Sequence, residues 1–251
     1  MKRVLVTGGA AGIGHAIVKR FIEAGDRVLT CDVDADALAR AQATLPGLLS
    51  APCDVADAAA LDALFDTVRR ELGGLDVLIN NVGVSGPTVA AEHLPSEDWQ
   101  RVIDVNLTGA FEVTRRAIPL LKDSADGTIV VMSSAAGRFG YPNRLPYAVS
   151  KWGLVGLTKT LSMELGEYGI SVNAILPGAV GGDRFDRVIE NRARLSGKTI
   201  EETIAEGLTA QSIKRIVEPE HVADLAWFLT TPSGRSISGQ MLPIDGDQQH
   251  G

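Results

Sequence analysis

Short runs of Val, Ile and Leu alternate along this chain with longer amphipathic stretches, and that alternation restricts the fold more than any other feature. A run with no polar face cannot border water on either side. Each is expected to be a strand of a parallel sheet covered by helices on both faces. Strands are expected at about 3–7, 27–32, 48–53, 76–80, 128–133, 170–176 and 240–244, and helices at about 12–24, 35–45, 57–73, 98–122, 147–168 and 219–230. No repeat, low-complexity tract or linker interrupts the series. With 251 residues, 45% of them apolar, the expectation is one α/β domain over 1–251 with a doubly wound parallel sheet of about seven strands.

The net charge of −7 and the scattering of basic residues argue against a polyanion-binding surface, so no nucleic-acid partner is expected. No apolar run approaches the roughly 18 residues that cross a bilayer, so no membrane partner is expected either. Met1 leads directly into the first apolar run with no room for a leader peptide, and a cytoplasmic protein is the expectation. Cys31 and Cys53 sit at the ends of apolar runs and read as core residues, not as a disulfide framework. His15, His93, His221 and His250 have no ligand-like spacing, so no metal is expected.

The first turn, Thr7-Gly8-Gly9-Ala10-Ala11-Gly12-Ile13-Gly14, leaves a strand and opens a helix. Glycines let backbone amides approach a pyrophosphate, and the helix N-terminus adds partial positive charge. Asp32 ends the next strand, where a carboxylate accepts hydrogen bonds from both adenosine ribose hydroxyls and repels a 2′-phosphate. No Arg or Lys at Ala10, Ala11 or Val33 offsets that repulsion, which favours NAD over NADP. Asp54-Val55 follows the third strand and Asn80-Asn81-Val82-Gly83 the fourth, both at the carboxyl edge where ligands bind. Taken alone, these are also ordinary capping and turn residues.

Asn106 lies within an expected helix, at a place where an apolar or helix-forming residue costs less. Ser133-Ser134 ends the fifth strand. Tyr147-Ala148-Val149-Ser150-Lys151 then puts a phenol and an ammonium one helical turn apart. A nearby ammonium favours the phenolate and lowers the phenol pKa from about 10 towards the range of a proton-transfer catalyst.

Together, Thr-Gly-x-x-x-Gly-x-Gly at 7–14, Asn-Asn-x-Gly at 80–83, Asn106, Ser134, Tyr147-x-x-x-Lys151 and Pro177-Gly178 resemble the classical short-chain dehydrogenase/reductase family over residues 1 to about 247. The resemblance implies a single Rossmann-like domain and a catalytic tetrad of Asn106, Ser134, Tyr147 and Lys151. In it Tyr147 is the general acid/base and Ser134 holds the substrate oxygen. Lys151 binds the nicotinamide ribose and depresses the tyrosine pKa, and Asn106 holds a water that passes protons to Lys151. It also implies a pyrophosphate turn at Gly8, Gly12, Ile13 and Gly14, Asp32 as ribose reader, and Asp54 and Val55 flanking adenine. Asn81 and Gly83 lie beside the adenosine ribose, and Pro177, Gly178 and Val180 along the nicotinamide. Gly182 departs from the family, which often has Thr there; Asp183 is no substitute donor, so backbone amides serve or the loop is built differently.

The segment 183–216 is long for an α/β connection and carries Phe185, Val188, Ile189, Ile200, Ile204 and Leu208 at helix-like intervals, which reads as a substrate lid. Arg138, Asn143 and Arg144 are candidate contacts for a hydroxyl-rich or anionic substrate, with structural ion pairing the equal alternative. Arg184 and Arg187 share that reading with less support. Leu154, Leu157, Leu161 and Leu165 mark the core side of the helix after Tyr147, and Gly153 and Gly156 admit a second helix. In the family that helix pairs with its copy in a neighbouring subunit, so a homotetramer is expected. The expected activity is NAD-dependent interconversion of a small secondary alcohol, such as a polyol, sugar or cyclic alcohol, with its ketone. Two alternatives stand beside it: a carrier-linked 3-oxoacyl reductase, disfavoured by Asp32 and the acidic charge, and a non-catalytic dinucleotide sensor, which has no need of the tetrad.

Overall fold

In the computed structural model seven strands lie parallel in one sheet: β1 (Arg3–Thr7), β2 (Arg27–Asp32), β3 (Leu49–Pro52), β4 (Val77–Asn80), β5 (Thr128–Met132), β6 (Ser171–Pro177) and β7 (Met241–Ile244). Residues 1–249 are described, apart from the side chains of residues 183, 184, 191 and 195, so Arg184 as a substrate contact and His250 lie outside the described residues. The order is β3-β2-β1-β4-β5-β6-β7. The chain starts mid-sheet, runs outward to β3, then crosses back to β4 beside β1. Such a reversal opens a crevice at the carboxyl ends of β1 and β4, the place where doubly wound sheets bind ligands.

Strand side chains alternate between two apolar layers, as the period of two requires. Leu5, Leu29, Leu78, Ile129 and Val172 face α3 (Ala58–Thr67), α5 (Gly109–Lys122) and α6 (Leu145–Glu164) through Leu61, Phe65, Val113, Leu121 and Leu154. Val4, Val6, Val28, Ile79 and Val130 face the other way, where α1 (Gly12–Glu23) and α9 (Pro219–Phe228) supply Ile17, Phe21, Val222 and Ala226. Helix α2 (Ala35–Thr44) completes that side with Ala41. Asp34 caps α2 and Asp57 caps α3, each accepting from main-chain N–H groups of its first turn.

The helix expected over 98–122 begins as α4 (Ser96–Ile103), widens into a π turn at Asp104–Thr108 and continues as α5. The one expected over 57–73 likewise ends in a π turn at Val68–Leu72. Between β6 and α9 an insertion forms α7 (Asp183–Ser196) and α8 (Ile200–Gly207). Its two ends are pinned together: Gly181 N–H donates to Val217 O at 3.0 Å, and Val217 N–H to Ala179 O at 2.9 Å. Gly182, the departure from the family pattern, has φ +116, a conformation a threonine rarely adopts. Among the described residues no helix is long and apolar enough to cross a membrane.

Candidate active site

The cleft at the β1/β4 switch has one end made of main chain. Gly8 takes φ +66, and its N–H donates to Cys31 O at 2.7 Å, which bends the chain sharply out of β1. A Cβ on Gly14 would lie 2.0 Å from Gly8 O, so α1 approaches the turn as closely as it does only because Gly14 has none. The Asn81 amide closes the turn from the other side, donating to Thr7 O (3.1 Å) and Gly8 O (2.9 Å). Unlike α2 and α3, helix α1 has no side-chain cap; its first turn also carries no acidic residue. Its positive end is therefore uncompensated at the exposed Gly12, which fits the pyrophosphate of a dinucleotide.

Asp32 stands half-buried at the end of β2, and since Asp34 does the capping of α2, its carboxylate is not the helix cap. Asp54 is tied on both sides, accepting from Ala56 N–H and pairing with Arg101 at 3.2 Å. Val55 turns its side chain into the core against Gly109, so any contact with a base there falls to its main chain. Cys31 and Cys53 are free, buried and in contact with each other beneath this end. The neighbouring Cys53 thiol, with burial, pushes the Cys31 thiol well up.

The other end is made of side chains held by main chain. Lys151 is 4% exposed and its Nζ donates to Met132 O at 2.8 Å, which fixes the ammonium 5.6 Å from the centre of the Tyr147 ring. Ser133 Oγ donates to Lys151 O at 2.8 Å and locks the end of β5 to α6. Ser134 starts the short turn at Ala135–Gly137, which packs on the same part of α6, as a Cβ on Gly137 would come 2.8 Å from Lys151 O. Tyr147 itself is half-buried. The π turn presents Asn106, whose Oδ1 accepts from Val84 N–H (2.7 Å) while Nδ2 donates to Val84 O (2.9 Å) and Ser150 Oγ (3.1 Å). A Cβ on Gly83 would lie 3.4 Å from both Asn106 Oδ1 and Lys151 Nζ, so those two polar atoms converge beside it. The four residues of the expected tetrad thus gather where β4, β5 and α6 meet.

The expected substrate contacts divide. Arg138 turns to the C-terminal segment, with Nη1 3.6 Å from buried Asp245 and Nη2 donating to Gln248 O at 3.1 Å. Asn143 holds a left-handed turn (φ +61), and its carbonyl accepts from Val89 N–H. Arg144 is buried against Tyr147 and donates to Ser85 O at 3.1 Å. Pro177 ends β6, the Gly178 N–H bonds to Ile244 O, and Val180 pairs with Val217 at the neck of the insertion. Sequence reasoning missed Tyr141, which meets the Tyr147 ring edge-on at 6.4 Å. The signal was there: it is one of only three tyrosines and lies close before the other site residues. Gly153 is filled within the subunit, a Cβ there meeting Leu107 at 2.7 Å, while Gly156 faces open space. Among the described residues no group of His, Cys, Asp and Glu is arranged to hold a metal ion.

The profile of the short chain dehydrogenase family matches residues 2–193. D-beta-hydroxybutyrate dehydrogenase from Rhizobium meliloti is 34% identical over 252 residues, covering 98% of this chain and 97% of that one. Among solved structures, an NAD+-bound xylitol dehydrogenase superposes with a TM-score of 0.92 at 31% identity over 98% of both chains. A variant actinorhodin polyketide ketoreductase with NADPH does so with a TM-score of 0.92 at 33% identity, over 97% of this chain and 95% of that one.

Proposed function

The chain belongs to the short-chain dehydrogenase family of oxidoreductases, and from that membership we propose that it interconverts a small secondary alcohol and its ketone with NAD as the partner cofactor. The observation that carries this reading is the Tyr147 ring beside the anchored Lys151 ammonium, in the same cleft as the uncapped N-terminus of α1.

Gly12, Ile13 and Gly14 hold the pyrophosphate through main-chain N–H groups, Gly8 borders it where the turn leaves β1, and Asp32 accepts from the adenosine ribose hydroxyls. Asp54, Val55, Asn81 and Gly83 border the adenosine, and Pro177, Gly178 and Val180 the nicotinamide. When bound, that ring supplies the hydride acceptor for oxidation and the hydride donor for reduction. Ser134 Oγ hydrogen-bonds the substrate oxygen and fixes the carbinol carbon in place. Tyr147 Oη takes the hydroxyl proton as the alcohol is oxidised and returns it in reduction. Lys151 Nζ keeps one proton on Met132 O and directs the others to the cofactor ribose and the phenol. Asn106 holds the water that exchanges protons with Lys151.

The substrate class we favour is a polyol, sugar or cyclic alcohol, and the insertion from 183 to 216 serves as a lid over it. The subunit assembles as a homotetramer through α5 and α6, whose Phe111, Val149 and Trp152 are exposed. The test is a panel of xylitol, sugars, cyclic alcohols and 3-hydroxybutyrate with NAD or NADP, followed by the absorbance of reduced cofactor. The expected outcome is turnover with NAD that Tyr147→Phe abolishes; undiminished turnover in Tyr147→Phe removes the mechanism.

A further inference from the structure

Tyr147 has a second cation beside it that the mechanism above does not use. Arg144 stands just before the first residue of α6, is 8% exposed, and is tethered to Ser85 O. Its guanidinium lies 5.3 Å from the centre of the Tyr147 ring and 5.5 Å from that of Tyr141. A cation within about 6 Å of an aromatic centre is drawn to the ring, and a planar guanidinium stacks on it as an ammonium does not. The two tyrosine rings also touch each other, edge to face at an interplanar angle of 66°. Tyr141 in turn is held from the insertion: Arg192 of α7 donates to its hydroxyl at 2.9 Å. Four side chains therefore form one unbroken line from α7 to the acid–base group.

We propose that Arg144 is a positioning residue that fixes the Tyr147 ring for proton transfer, and that the Arg192–Tyr141 hydrogen bond sets Arg144, so the insertion and the phenol are aligned together. This rests on the reading of Tyr147 as the acid–base group. Arg144 touches neither substrate nor cofactor in this role; it acts through the ring. A ring displaced by a fraction of an ångström from its donor position slows proton transfer without loosening either ligand.

The experiment uses the full chain, NAD and the alcohol of highest turnover in the panel. Arg144→Met lowers kcat by about 30- to 100-fold, the scale of a misplaced catalytic group, while KM and NADH affinity by fluorescence stay at the parental values. Arg144→Lys, which keeps the charge and loses the planar stack, recovers part of kcat. Tyr141→Phe and Arg192→Ala each lower kcat by about 3- to 10-fold, the scale of one hydrogen bond, and the double variant equals either single one because both remove the same bond. Parental kcat in Arg144→Met, or losses that add in the double variant, overturn the proposal. If Tyr147→Phe is inactive while Arg144→Met is not slowed, only this inference falls; if Tyr147→Phe stays active, the acid–base reading falls with it.

A second measurement needs no substrate and only the exposed Arg192→Ala change. The chain has three tyrosines, so 3-fluorotyrosine labelling gives three fluorine resonances, assigned by Tyr→Phe replacement. Arg192→Ala is expected to displace those of Tyr141 and Tyr147 and leave that of Tyr168. A displacement confined to Tyr141 refutes the coupling.

Discussion

At the end of the cleft formed by the glycine turn the surface is main chain, and side chains serve it: Gly8 and Gly14 let the turn close, and the Asn81 amide binds its carbonyls. At the Tyr147 end the surface is side chain, and main chain serves it: Met132 O anchors Lys151, and Val84 clamps the Asn106 amide. The two plans respond differently to substitution. An added atom at the first end meets backbone and must displace it; a removed atom at the second leaves the scaffold standing and takes away a chemical group.

The largest effect expected from this contrast is at Lys151→Met. Activity falls by about 10³-fold, within the range for loss of acid–base assistance, while the melting temperature changes little because a similar volume remains on α6. Steady-state kinetics beside thermal melts check it, and a collapse of the fold breaks the contrast. Next comes Gly14→Ala, whose new Cβ meets Gly8 O; overpacking of about 2–3 kcal/mol appears as roughly 100-fold weaker NADH binding together with a lower melting temperature. Asp32→Ala is smaller and changes preference more than rate. Losing charge-assisted bonds worth about 1.5–3 kcal/mol lowers the NAD over NADP selectivity by some 10- to 100-fold, read as a ratio of kcat/KM values.

The opposite edge of the sheet supplies the control. There Asp76, just before β4, pairs with Arg3 of β1 at 2.7 Å and accepts from Ser124. Burial pushes its carboxyl up, but hydrogen bonds from the Arg3 side chain, Ser124 and the Arg3 N–H, with the Arg3 charge, outweigh burial and hold it at about 2. A carboxyl held below its unfolded value contributes stability that is fully present above about pH 4 and is lost as pH falls towards 2. Asp76→Asn is therefore expected to cost about 2 kcal/mol by denaturant unfolding at pH 7, with the gap closing between about pH 4 and 2 and the activity per folded molecule unchanged.

The sheet was legible in the sequence because parallel strands buried on both faces read as continuous Val, Ile and Leu runs, and the observed strand limits fall within one residue of those expected. The places in the fold of Ser134, Tyr147 and Lys151 were legible because they sit just past a strand end and on one helix turn. The π turn that presents Asn106 was not, since the one-residue phase shift it makes in the apolar pattern does not distinguish a widened turn from a break between two helices. Nor was the engagement of Arg138 with Asp245 and Gln248, partners over a hundred positions away that only the path of β7 brings near. Gly153 read as a place for a neighbouring helix, and Leu107 of the same subunit fills it, because spacing alone does not say which surface covers a glycine.

The pairing of Ala179 and Gly181 with Val217 has a consequence for how such a protein changes over time. Everything between those residues leaves and re-enters through a single gate, so length and composition there can vary as a cassette without pulling on β6 or α9. A change within the cassette that keeps Arg192 leaves its hydrogen bond to Tyr141, and with it the edge-to-face contact on the Tyr147 ring, as they were.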